Sequence, residues 1–185
     1  MLVEFLTVAS VPARIAVLAA LAPILFGQVL SGQDKPKDVD GWDKIKWGMT
    51  IADVRSAYKV EASPESKDDW ILLDLKPVKM GEVELGVQIG ARQGSEKIAS
   101  VRLWSHFGLA SSAPRAGSQD FDTLRSLLIQ KYGHPANEET KRGENFRLIR
   151  TVLWTFPSTS IVLSLEQSAS LPNLGNIDLD YTAKN

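Results

Sequence analysis

The hydrophobic residues of this chain recur with two periods, one helical and one of the strand type. Ile51, Val54 and Tyr58 stand at i, i+3 and i+7, the spacing that lines one face of a helix. Thr50, with Asp53 three positions later, supplies a capping box in which Asp takes the place of the usual Glu. A short amphipathic helix is therefore expected over residues 50–59. Three runs rich in strand-forming residues follow, Trp70–Leu75, Val83–Ala91 and Ile98–Phe107, separated by turn-rich stretches at 76–81 and 92–96. In the second run Val83, Leu85, Val87, Ile89 and Ala91 share one face, while Glu84, Gln88 and Arg92 occupy the other. An antiparallel meander with one dry and one wet face is the expected result.

The second half repeats this order. Phe121, Leu124, Leu128 and Tyr132 recur at i, i+3, i+7 and i+11, Leu127 widens the stripe, and Gly133 followed by Pro135 is a stop signal. A helix is expected from near Asp120. After a polar loop over 136–145 come the β-like runs Leu148–Phe156, Ser160–Gln167 and Ile177–Thr182. The expected fold class is α+β: two tandem helix-β-β-β units forming antiparallel sheet with the helices on one face. Residues 42–107 make the first unit and 120–185 the second, joined by a Ser-, Ala-, Gly- and Pro-rich linker over 108–119. Residue identity between the halves is poor, so the repetition is one of element order. Two such units can join edge to edge in one sheet or stack as separate layers.

The N-terminal stretch has a different character. After Arg14 the run Ile15–Leu30 carries no charge, contains Pro23, and gives way to Ser31, Gly32 and a polar string. It is shorter than the roughly 20 residues a spanning helix needs, and Val29-Leu30-Ser31 places tolerated residues before a cleavage point. Residues 1–32 are expected to be a signal peptide cut after Ser31 or Gly32, and 33–41 a flexible tether. The expected destination is the bacterial periplasm or the exterior; an uncleaved leader would instead be an N-terminal membrane anchor.

Charge and composition narrow the function classes. The chain is 44% hydrophobic and 23% charged with a formal net charge of −1, as in an ordinary globular protein. The leader contains one acid, Glu4, and one base, Arg14, so the remainder stays near neutral and presents no bulk field for nucleic acid or anionic lipid. Neither a nucleic-acid partner nor stable membrane insertion after cleavage is expected. The absence of cysteine removes disulfides, lipidation, thiol catalysis and thiolate zinc sites.

The residues Trp47-Gly48-Met49-Thr50-Ile51-Ala52-Asp53-Val54, which open a short helix before a meander, resemble the entry motif of the β-lactamase-inhibitor-protein-like superfamily. They are similar there to small outer-membrane lipoproteins of the barrel-assembly machinery as well. In that superfamily a Gly-Met-Thr turn starts the first helix of a unit, and the inhibitors carry two tandem units whose sheet grips a partner protein. The resemblance implies a protein-binding role. Ser118-Gln119-Asp120-Phe121 stands where a second Gly-Met-Thr turn would fall, and the lipidation and disulfide cysteines of those proteins have no counterpart here. No individual functional residue transfers.

Candidate chemistry comes from the aromatic residues. Trp154 is in register with Val152 and Phe156 and is expected in the core, while Trp42 and Trp47 flank the first helix as clamps. Strand alternation places Ala99, Val101, Leu103 and Phe107 on one side of the third run, and Ile98, Ser100, Arg102, Trp104 and His106 on the other. Trp70 and Asp74 can join the second group from the first run. The candidate binding residues are thus Trp70, Asp74, Arg102, Trp104 and His106, on an open sheet face; such aromatic and arginine mixtures are enriched at binding hot spots, although a merely solvated face has the same pattern.

A metal held by His106, Asp178 and Asp180 lacks the usual ligand spacing, His134 beside Pro135 reads as a helix-end residue, and the acid pairs Asp68-Asp69 and Glu138-Glu139 sit in polar loops. No nucleotide-binding or nucleophile-elbow motif occurs. Neither catalytic residue, metal nor cofactor is expected. The expected function is that of an exported, non-enzymatic module binding an envelope or secreted protein. The rivals are a small-molecule or glycan binder using Trp70 and Trp104, and a hydrolase centred on Arg102 and His106.

Overall fold

The computed structural model describes residues 36–105, 116–143 and 147–184, with backbone only at 171–174. Gly41–Trp42 (β1) and Ile45–Lys46 (β2) pair as a small hairpin ahead of the first helix, Ile51–Tyr58 (α1). The expected capping box forms: Thr50 Oγ1 accepts the Asp53 N–H at 3.2 Å, and the Asp53 carboxylate accepts the Thr50 N–H at 2.8 Å. These bonds from Thr50 hold the Asp53 carboxyl below its usual range. The helix ends at Lys59 in the left-handed conformation, and the Val60 N–H returns to the Arg55 carbonyl at 3.0 Å.

Four strands follow α1: Glu65–Lys67 (β3), Trp70–Met80 (β4), Val83–Arg92 (β5) and Ile98–Ser105 (β6). The second helix, Ser118–Tyr132 (α2), precedes four more: Asn137–Arg142 (β7), Arg147–Thr155 (β8), Thr159–Ser168 (β9) and Leu171–Ala183 (β10). The eight strands form one antiparallel sheet in the order β3-β4-β5-β6-β10-β9-β8-β7, in which β6 and β10 are neighbours. Among the described residues each helix is therefore followed by four strands, where three are expected. The additional ones, β3 and β7, are the two sheet edges. They have the sequences ESK and NEETKR and are exposed throughout, so they lack the apolar alternation that marks a half-buried strand. Charged edges of this kind discourage pairing with another chain. The polar loop expected over 136–145 is largely β7.

One face of the sheet is dry. Leu73, Leu85, Val87, Ile89, Val101, Leu103, Val152, Trp154, Ile161, Leu163, Leu165, Ile177, Leu179 and Tyr181 project into a single core with Ile51 and Val54 of α1 and Phe121, Leu124, Leu128 and Tyr132 of α2. Burying this apolar surface is the main favourable term in the fold. Beneath α2 the Tyr132 ring meets Phe156 and Tyr181 edge-on, at centroid distances of 5.7 and 6.3 Å. The Tyr181 hydroxyl is pushed well above its ordinary pKa by burial and by Tyr132 beside it. Ion pairs fasten the rim of α2 to the sheet edge: Arg125 to Glu138 at 2.5 Å and Arg150 to Asp122 at 2.7 Å.

Residues 38–41, expected as the end of a tether, are packed. Asp38 accepts from the Ser158 N–H at 2.9 Å and from the Ser158 hydroxyl at 2.6 Å. Val39 is buried in the core, and its carbonyl accepts the Thr159 hydroxyl. The Trp47 indole N–H donates to Thr159 Oγ1 at 2.6 Å, so the expected clamp role of Trp47 is met by a bond reaching across to β9. α2 starts at Ser118, two residues before the expected Asp120, because the Asp120 carboxylate accepts the Gly117 N–H at 2.9 Å and acts from inside the first turn. The leader and most of the linker lie outside the described residues.

Candidate functional site: the open face of the sheet

The face opposite the helices is built by strand register. Trp70, Leu72 and Asp74 of β4 stand opposite Arg92, Gly90 and Gln88 of β5; Gly86, Gln88 and Gly90 in turn stand opposite Trp104, Arg102 and Ser100 of β6. Across the β6–β10 junction Trp104, Arg102 and Ser100 meet Asp178, Asp180 and Thr182. Beyond them β9 and β8 contribute Ser164, Val162 and Ser160, then Thr151, Leu153 and Thr155. Because alternate residues of a strand share a face, all of these lie on the side away from the helices.

Four of the five expected site residues, Trp70, Asp74, Arg102 and Trp104, therefore share the open face. His106 lies outside the described residues. One expected neighbour does not belong there: Ile98 is 2% exposed and packs in the core. The register shifts between Gly90 and Ala91, with Ser100 opposite Gly90 but Ile98 opposite Ala91. Ala99 is the extra residue of a β-bulge, which breaks simple alternation at this point and returns Ile98 to the dry side.

Both indoles lie across glycines. A Cβ placed on Gly86 would stand 2.8 Å from Cε2 and Cζ2 of Trp104, and one on Gly90 would stand 3.0 Å from Cε3 of Trp70. The bare backbone of β5 gives each ring a flat seat, the aromatic covering of glycine seen in curved sheets. Trp70 also carries the Arg92 guanidinium at 4.2 Å from its ring centroid, close enough for a cation–π contact.

Between the indoles runs a polar row. Gln88 Nε2 donates to Asp74 Oδ1 at 2.9 Å. Arg102 donates to Asp178 Oδ1 from Nε at 2.9 Å and from Nη2 at 2.6 Å, and its Nε stands 3.7 Å from Asp180 Oδ1. Partial burial acts against the Arg102 charge, but the Asp178 and Asp180 carboxylates outweigh it and raise its pKa. Burial lifts the Asp180 carboxyl above its usual range, Arg102 opposes this, and Asp178 adds to it. Asp178 and Asp180, whose spacing with His106 is poor for a metal, are the partners of Arg102. The signal was the alternation Asp178-Leu179-Asp180, but only the pairing of β6 with β10 supplies the contact. Among the described residues no group of three or more His, Cys, Asp or Glu is arranged to hold a metal.

A cleft of about 640 Å³ opens beside β4, lined by Trp42, Tyr58, Val60, Leu75 and Val78 and sharing Asp74 with the open face. β3 pairs with β4 only from Leu72 to Trp70. Pro64, which has no N–H, precedes β3, and Lys76-Pro77 form a bulge opposite Gly86, so neither backbone can zip the gap closed. Asp43 and the ring's own burial push the Tyr58 hydroxyl up to about 12, with burial the larger effect, and the hydroxyl donates to Asp43 at 2.8 Å.

Among the described residues no helix is long and apolar enough to cross a membrane. Compared with protein-family models, with curated proteins and with solved structures, the chain matches none.

Proposed function

We propose that this chain is an exported, non-enzymatic module that binds another protein through the open face of its sheet. The observation that carries the reading is the seating of Trp104 and Trp70 on the glycines of β5, on either side of Arg102 and its carboxylates. A face that no described helix covers, with two aromatic side chains and a hydrogen-bonded guanidinium, has the make-up of an interface hot spot, where aromatic and arginine residues contribute most of the binding energy. Gln88 is hydrogen-bonded to Asp74 and Arg102 to Asp178 in advance, which lowers the ordering cost of association.

The same reading takes the two halves as tandem units joined edge to edge through β6 and β10, in keeping with the resemblance of Trp47–Val54 to the β-lactamase-inhibitor-protein-like superfamily. Export rests on the uncharged run Ile15–Leu30 and the small residues after it.

Capture from the native envelope with immobilised protein tests the interface. Arg102→Ala and Trp104→Ala should each lower recovery of a specific partner while leaving the far-ultraviolet spectrum unchanged, and a substitution on exposed Lys59 should not. Undiminished recovery with both variants overturns the reading. Intact-mass measurement of the exported chain should give an N-terminus at Gly32 or Gln33; a retained leader overturns the cleavage proposal.

A further inference from the structure

The charges of the open face are unevenly matched. Towards its margins Arg147 pairs with Glu166 and Lys141 with Glu139 at 2.8 Å, Arg92 stacks on Trp70, and Glu65 and Lys67 stand on β3 opposite Leu72 and Trp70. Lys79 and Glu84 stand opposite one another across β4 and β5. Among the described residues the centre holds three carboxylates, Asp74, Asp178 and Asp180, against the guanidinium of Arg102. Asp74 is bound by a neutral amide, Gln88, and Asp178 takes both short bonds from Arg102. Asp180 is left with the 3.7 Å approach of Arg102 Nε and no hydrogen bond from any described residue. Its side chain is 41% exposed, which leaves one side of the carboxylate reachable.

What surrounds Asp180 is equally specific. Its register partner on β9 is Val162, and the partner of Val162 on β8 is Leu153. Both are half-buried on the open face. A cation arriving at Asp180 from the β8 side would thus lay an aliphatic stem across Val162 and Leu153 before its charge reached the carboxylate, the arrangement long basic side chains favour. Phosphate-bearing ligands meet the opposite situation, since the surplus charge of the centre repels them.

Building on the interface reading, we infer that the protein partner docks an arginine or lysine side chain on Asp180, with its stem on Val162 and Leu153 and its neighbouring residues spanning the strip between Trp104 and Trp70. The incoming cation reduces the surplus of Asp74, Asp178 and Asp180 over Arg102 from two negative charges to one. Its complementarity favours correct register and faster encounter more than it adds affinity.

The test uses two defined decapeptides, one alternating valine with arginine and one alternating valine with glutamate, titrated against the full chain labelled at the tryptophan indole N–H groups. The arginine peptide should bind saturably and shift the Trp104 signal. Asp180→Asn should weaken it roughly five- to tenfold, Val162→Ser by a smaller factor, and raising salt from 50 to 500 mM should weaken wild-type binding but change the Asn variant less. The glutamate peptide should not bind. Equal arginine-peptide affinity for wild type and Asp180→Asn, or no saturation at all, overturns the inference. If partner capture is lost with Trp104→Ala yet untouched by Asp180→Asn, the interface reading stands and the basic anchor falls; if neither variant affects capture, both fall.

Discussion

Trp104 lies across Gly86 of the neighbouring strand so closely that a single added methyl carbon would stand 2.8 Å from two atoms of the ring. The two residues are register partners on β6 and β5, so the seat of the indole is fixed by backbone pairing and by the absence of a side chain. Conformational freedom of the glycine is not the reason for it; clearance is.

Gly86→Ala should therefore move the indole, at a cost of about 1–3 kcal/mol for an overpacked contact. In a Trp104→Ala background the same substitution should be nearly free, because the clashing ring is gone. A double-mutant cycle in urea, with tryptophan emission as a second readout, measures this. Additive effects would show that the ring is not held by the glycine.

Thr159 is fully buried and serves two partners, donating to the Val39 carbonyl and accepting the Trp47 indole N–H. Thr159→Val keeps the shape and removes both bonds, leaving a carbonyl and an indole N–H unpaired in a part-buried place. The expected loss is about 2–3 kcal/mol, from the desolvation penalty of each orphaned group. Chemical denaturation measures this loss, and limited proteolysis should show easier cleavage at residues 36–41, since this hydroxyl joins that segment to β9.

The contrast between those two sites explains how much of the fold the sequence discloses. α1, α2 and the inner strands are legible because Ile51, Phe121, Val87 and Leu163 carry apolar periodicities that burial enforces. β3 and β7 are not, because an exposed edge strand imposes no alternation on ESK or NEETKR. Nor are long-range partners: nothing local in Asp38 or Thr159 foretells Ser158 or Trp47. The candidate site is partly legible. Parity alone puts Trp70, Asp74, Arg102 and Trp104 on one face, but the same parity misplaces Ile98, since the bulge at Ala99 leaves no local sequence mark. The role of Asp178 and Asp180 depends on β10 lying beside β6, which is a property of topology.

Asp38 gives the N-terminal segment a pH dependence. The Ser158 hydroxyl and N–H stabilise its carboxylate and lower its pKa below 3.8, with the Val39 N–H and Lys184 contributing less. A carboxyl whose folded pKa is depressed adds stability that is present above the unfolded value and fades as pH falls through the folded one. Asp38→Asn should lower the melting temperature at pH 7, and the gap to wild type should close as pH drops below about 4. A gap that stays constant down to pH 2 would show that the carboxylate charge contributes nothing to the Ser158 contact.

Asp180 should behave in the opposite sense. Burial, aided by Asp178 and opposed by Arg102, raises its folded pKa above 3.8. For a carboxyl shifted upward, the folded state favours the protonated form, so the associated stability is present at acid pH and is lost as pH rises through the folded value. Asp180→Asn, which keeps the shape without the charge, should therefore melt higher than wild type at pH 7, while the difference disappears near pH 3. The gain should be small, because solvent reaches the 41% exposed side chain and screens it. Joined with the peptide titration, this separates two explanations of one residue. If the variant melts higher and also binds the arginine peptide less well, the charge at 180 costs the isolated fold something and is useful only in company. A variant that melts lower at pH 7 would instead make Asp180 a stabilising partner of Arg102, and the centre of the face would then be electrostatically complete without any incoming cation.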